Sequence, residues 1–338
     1  MRASRATLSH TAVRLSDVAF PATQVLLHRT RLAYVHLENL ISFAKRDRDG
    51  RIDAFLAGYL PDELVLLFFK GGEIVNAATM TSDARVVLST PEAIDRMQAE
   101  LERGQVIYAA APFEQLSLMY ASCSGPAIPR QIDPADSYAF LNDLRAEQFT
   151  GRMELLSAGR MNYLLFEDGG VTRGHFHDKA ATQPITQYVE SLFALLPDGS
   201  APAIAASVIP DVGEVPEQAP LAQVQLYHEV FDRITTAVEA EVPREGKRRS
   251  ARAHSALLPR HPVLNVLAPP DGGEPSAVSV TTAALTAALA DWTILLLQEV
   301  EVVSPGAAPR LLKESTRERR FVLQAAGFYE RLPWRLTW

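Results

Sequence analysis

The sequence predicts an α+β protein: two repeated small units of helix plus antiparallel strands, followed by a mainly α-helical C-terminal domain. Three observations predict it. The run Phe69-Lys70-Gly71-Gly72-Glu73-Ile74-Val75-Asn76-Ala77 recurs as Phe166-Glu167-Asp168-Gly169-Gly170-Val171-Thr172-Arg173-Gly174. Each copy follows a leucine-spaced helix start (Leu37, Leu40, Ile41; Leu141, Leu144) and a Gly-Arg pair (Gly50-Arg51; Gly151-Arg152). Beyond residue 220 the apolar residues fall at helical spacing, as in Leu226, Val230, Ile234 and Val238.

The elements follow in chain order. Residues 1–33 lack helical periodicity and read as an extended arm. The first repeat, 34–110, opens with Leu37, Leu40, Ile41 and Ala44 at i, i+3, i+4, i+7, a one-sided helix. Ile52–Leu56 and the apolar run Leu64–Phe69 read as strands, and Gly71-Gly72 as a hairpin turn into Ile74-Val75. Pro91-Glu92-Ala93 starts a helix that ends near Gly104. The second repeat, 111–196, copies the order: helix Tyr138–Gln148, strands Arg152–Leu156 and Asn162–Phe166, turn Asp168–Gly170, strand Val171–Phe176, helix Thr186–Leu196. The turns stand 97 residues apart and the Gly-Arg pairs 101 apart, so a longer hairpin loop is expected in the first copy at Ala57–Asp62.

Residues 197–220 hold five prolines and read as a linker. The C-terminal domain, 221–338, begins with a helix over Leu221–Val242. A basic loop, Arg244–Arg252, follows. An apolar helix, Ala283–Val303, is capped by Thr281 or Thr282. Asp291, Gln298, Glu299 and Glu301 interrupt that helix, which reads as a buried core element rather than a membrane span. Ser315 is expected to cap a last helix, Thr316–Ala326, stopped by Gly327.

Composition bounds the class. The chain has 338 residues, 47% hydrophobic and 22% charged, as expected of a folded protein. A lone Cys123 leaves no intramolecular disulfide and suits a reducing cytoplasm. Arg14, Asp17 and Pro21 break any secretory apolar segment near the N-terminus. The net charge of −7 is uneven: Arg244–Arg252 and Arg310–Arg335 each carry +4, leaving −15 elsewhere. An acidic body with a basic end is ill suited to nucleic acid and suits docking on an anionic surface.

At the Phe-x-x-Gly-x-(Ile/Val)-x-x-(Ala/Gly) turn, with its Gly-Arg-(Ile/Met) opening and leucine-rich helix, the sequence resembles the PATAN-type module. That module accompanies bacterial response regulators and other signalling proteins. The likeness covers 35–77 and 138–176, about a quarter of the chain. It implies an α+β scaffold for protein–protein contact without enzymatic activity. Gly71 stands where an acid is usual, the first copy has the longer loop, and the second ends in Gly174. Neither copy adjoins a receiver-domain pattern in this sequence, so a phosphorelay role is not expected.

No nucleophile elbow, phosphate-binding loop or dinucleotide fingerprint occurs. His175 and His177 share a strand face at i, i+2, a spacing used by metals, but no further ligand cluster accompanies them. No catalysis, cofactor or metal is therefore expected. The candidate partner-binding residues are Arg248 and Arg249 in the basic loop and Arg320, Phe328, Tyr329, Trp334, Arg335 and Trp338 in the tail. Arginine and aromatic residues are enriched at interface hot spots, and Trp favours the membrane boundary. The tail either folds onto its own domain through Trp334 or meets a partner. The expected role is a cytoplasmic interaction scaffold, with two forms. One is a signalling or regulatory adaptor. The other is a membrane-extrinsic subunit of a larger complex, such as a photosynthetic or respiratory one. It would bind other proteins, including integral membrane proteins, and contact anionic lipid headgroups.

Overall fold

The computed structural model describes residues 14–46, 52–125, 128–210, 212–268 and 279–338. The chain divides into two compact units, 2–216 and 217–338.

In the first unit the strands and helices run β1 (Gln24–Arg31), α1 (Leu37–Arg46), β2 (Ala54–Tyr59), β3 (Glu63–Lys70), β4 (Glu73–Thr81), β5 (Arg85–Leu88), α2 (Thr90–Ala99) and β6 (Gln105–Ala110). After α3 (Phe113–Ser124) come β7 (Ile128–Arg130), α4 (Ser137–Ala146), β8 (Gly151–Ser157), β9 (Arg160–Glu167), β10 (Gly170–His175), α5 (Ile185–Ser191) and β11 (Ile204–Ile209). The first sheet has the order β1-β6-β2-β3-β4-β5 and the second β7-β11-β8-β9-β10, all pairs antiparallel. Both halves therefore trace one βαβββαβ path, with the last strand inserted between the first and second. β5 is the addition in the first copy.

The duplication extends to register. Ala54 pairs Phe69 and Tyr59 pairs Leu64; Gly151 pairs Phe166 and Leu156 pairs Met161, a constant offset of 97 residues. Each copy also carries a bulge at the same place, with Val75 extra in β4 and Thr172 extra in β10. The intervening turns match: Gly71 and Gly72 at φ 57° and 79°, Asp168 and Gly169 at φ 50° and 76°. Two successive positive φ values give the turn whose twist suits a tight hairpin. A Cβ at Gly169 would stand 2.4 Å from the Arg145 Cα, so close approach to α4 also requires glycine there.

Three sequence expectations need correction on this account. The span 1–33 is not wholly an arm, because Gln24–Arg31 pairs with β6. The span 197–220 is not a bare linker, because Ile204–Ile209 lies between β7 and β8. The Ala57–Asp62 loop is not long: Ala57–Tyr59 are strand, and the hairpins are equal. The Gly-Arg equivalence misled, since Gly151 corresponds to Ala54; Gly50-Arg51 lies outside the described residues. The extra length of the first copy precedes β2.

Alternating side chains explain the layers. Along β3, Val65, Leu67 and Phe69 face Ala93 and Met97 of α2, while Leu64, Leu66 and Phe68 enter a central core. Met161, Tyr163 and Leu165 of β9 enter that same core, with Leu116, Met119 and Cys123 of α3. Leu164 and Phe166 face Phe140, Leu144 and Val189 of α4 and α5. The two sheets thus share an inner core with α3, and the repeat helices cover the outer faces. Burial on both faces is why β3 reads as a continuous apolar run.

The second unit contains α6 (Leu221–Glu241), α7 (Gly246–Leu257), α8 (Leu264–Leu267), α9 (Thr282–Val303), α10 (Ala307–Thr316) and α11 (Arg320–Ala325), with a closing turn at Tyr329–Arg331. The α6 stripe behaves as expected: Val230, Ile234 and Val238 are buried and Leu226 packs against the core. The Phe231 ring stacks on Trp292, centroids 4.0 Å apart. Thr281 caps α9 by accepting from the Ala284 N–H. Among described helices α9 alone is long and apolar enough to cross a membrane, and Leu289, Trp292 and Leu296 bury it in this core. Ser315 does not start a helix, because it lies in the last turn of α10; a 3-10 turn at Arg317–Arg319 then leads into α11. Gly327 does end α11, at φ 72°.

Candidate partner-binding surface

The basic segment is helical rather than a loop, since α7 takes up Gly246–Leu257. Its helical turn sorts the arginines. Arg249 faces inward, pairs with Glu245 and donates to the Glu299 carbonyl at 3.1 Å. It is a structural strut, so its expected role as a free docking cation is corrected. Arg252 pairs with Glu299 at 2.6 Å. Arg248 is exposed and makes no ion pair among the described residues, as do Arg244 and Lys247.

The C-terminal tail folds back onto its own unit. Trp334 and Leu336 pack half-buried against the helical core, and the Lys313 Nζ donates to the Thr337 carbonyl at 2.6 Å. Phe328 is wholly buried in the core, where a partner cannot reach it; its assignment as a contact residue is corrected. Tyr329 is half-buried, its ring edge-on to both Phe328 and Trp338. Burial raises the pKa of its hydroxyl.

What remains outside is compact. The Arg320 guanidinium lies 4.4 Å from the Phe321 ring and 5.8 Å from that of Trp338. This contact puts both rings on one side of the unit, with Phe321 69% and Trp338 44% exposed. Val322, next to Phe321 in sequence, is exposed as well. Arg335 is exposed on the tail. The sequence pointed to Arg320, Arg335 and Trp338; Val322 went unnoticed because one apolar residue on a short helix carries no pattern.

Other polar groups are engaged within the fold. The Arg85 guanidinium on β5 donates to both oxygens of Glu154 on β8, at 2.8 and 2.6 Å, and both residues are buried. Burial disfavours that guanidinium's charge, but the Glu154 carboxylate outweighs it and the pKa is raised. Burial pushes the nearby Cys123 thiol up to about 11, despite Arg85. His175 is half-buried beside Glu114, its pKa lowered by burial, and His177 meets the Phe20 carbonyl at 3.1 Å through Nδ1. Among the described residues no three His, Cys, Asp or Glu side chains gather where a metal could bind. An open groove of about 520 Å³ runs between α6 and α10 past Thr236, Ala237 and Ala240. Arg233, on its rim, bridges Glu229 and Glu318.

No family model, no curated protein and no solved structure matches this chain.

Proposed function

We propose that the chain is a non-enzymatic protein-interaction scaffold. The observation that carries this reading is the duplication: one βαβββαβ path occurs twice, with matching registers, bulges and turns, and the copies join through their inner sheet faces. The chemically versatile groups between the sheets, Arg85 and Glu154, are spent on each other. The repeats present to the outside their helices, the β1 edge with Val25, and exposed aromatics such as Tyr34 and Tyr138. Edge strands and exposed aromatic residues are contact surfaces. The likeness of the hairpin turns to the PATAN-type module supports the same role, as an adaptor.

The test is photocrosslinking from residues 25, 34 and 138 in cells. Adducts with defined proteins support the scaffold; unmodified chain from every position would count against it.

A second reading, a cytoplasmic-face subunit extrinsic to a membrane complex, is favoured by one observation on the helical unit. The Arg320 guanidinium lies over two partly exposed aromatic rings, Phe321 and Trp338, there.

A further inference from the structure

We propose that the Arg320–Phe321–Val322–Trp338 surface docks on an anionic phospholipid bilayer. This rests on the membrane-extrinsic reading and names the surface involved. Arg320 lies over the Phe321 and Trp338 rings, so two partly exposed aromatic side chains and a guanidinium face one direction. Val322, the next residue of α11, is a further exposed apolar side chain.

Three further arginines of this C-terminal segment, Arg317, Arg331 and Arg335, are available to an anionic surface. Arg317 lies in the 3-10 turn that leads into α11, four residues before Phe321 in sequence, and is exposed; Arg331 and Arg335 are exposed as well. None of the three makes an ion pair among the described residues. The acids that could neutralise them are committed elsewhere: Glu318 binds Arg233 at 2.6 Å, and Glu314 lies 3.6 Å from Arg310. Glu330 is the exposed acid that remains. The neighbouring Arg319 is held by Glu229 at 2.8 Å and adds no free charge.

A bilayer matches this arrangement in both respects. Trp settles at the boundary between headgroup and hydrocarbon, and arginine keeps its charge among the phosphates while its stem lies along apolar surface. Anionic headgroups supply continuous negative charge to several arginines at once. The tail's attachment through Trp334 and Lys313 holds the surface in place before contact, so little ordering is needed on docking.

The experiment is co-sedimentation of the full chain with vesicles of neutral phosphatidylcholine, with and without about 30% phosphatidylserine. Binding is expected with phosphatidylserine alone and should weaken as salt rises. Arg317→Ala combined with Arg335→Ala should weaken it about 30-fold. Phe321→Ala combined with Trp338→Ala should release the chain, with far-UV circular dichroism confirming the fold of both variants. No binding, equal binding to neutral vesicles, or indifference to both double substitutions would overturn the proposal. If vesicles fail while the chain still crosslinks to proteins, the lipid docking falls and the scaffold stands.

Discussion

The Arg85 guanidinium holds the Glu154 carboxylate with two parallel hydrogen bonds across the layer where the two sheets meet. Arg85 comes from the one strand that the second repeat lacks, so the addition that distinguishes the copies also ties them together. Breaking one side leaves a buried charge without a partner. Arg85→Ala or Glu154→Ala should therefore destabilise the sheet unit by about 3–5 kcal/mol. Replacing both, as Arg85→Met with Glu154→Leu, should recover most of the loss, because an apolar pair removes the desolvation cost. Urea unfolding followed by far-UV circular dichroism measures both.

Cys123 gives a pH dependence with a definite sign. Its thiol is raised from 9.0 to about 11 by burial. Between these values the folded chain keeps a proton that the unfolded chain loses, so stability falls as pH rises. The contribution lost is about 2–3 kcal/mol once pH passes the folded value. Cys123→Ala should flatten the stability profile between pH 9 and 11. An unchanged slope in urea titrations across that range would refute the assignment.

Phe328 and Phe321 stand seven residues apart and should behave in opposite ways. Phe328 is buried, so Phe328→Ala should cost about 3–5 kcal/mol. Phe321 is largely exposed, and Phe321→Ala should change stability by less than about 0.5 kcal/mol. All three tryptophans, Trp292, Trp334 and Trp338, belong to the helical unit, so fluorescence-detected unfolding reads this difference there.

Gly169 tests the turn geometry shared by the repeats. The backbone there sits at φ 76°, and an alanine Cβ would stand 2.5 Å from the Leu144 carbonyl oxygen, so the substitution meets both strain and backbone contact. Gly169→Ala should lower stability by about 1–3 kcal/mol. Equal stability of the variant in thermal unfolding would argue against this backbone conformation.

The legible parts of the fold were those with local chemistry. The Gly71-Gly72 and Asp168-Gly169 pairs announced their turns because few other residues accept two positive φ values. The α6 stripe and the Thr281 cap likewise repeat rules of a single helix. What stayed hidden depended on distant pairing. Ile204–Ile209 lies between Pro202 and Pro210, whose punctuation outweighed a strand stabilised by β7 and β8. The Arg85–Glu154 pair joins residues 69 apart, with no local signal for either partner. In the tail, alternating arginines and aromatics marked a contact region. They could not tell that Phe328 turns inward while Phe321 turns out, because that choice is made by the helices packed beneath.

The most direct test of the scaffold role is affinity purification of the tagged full chain from gently solubilised cells, with mass spectrometry of soluble and membrane fractions. The account predicts recovery with one or more proteins at fixed stoichiometry. Integral membrane partners would indicate the extrinsic subunit, and soluble signalling proteins the adaptor. Recovery of the chain alone from both fractions would contradict it.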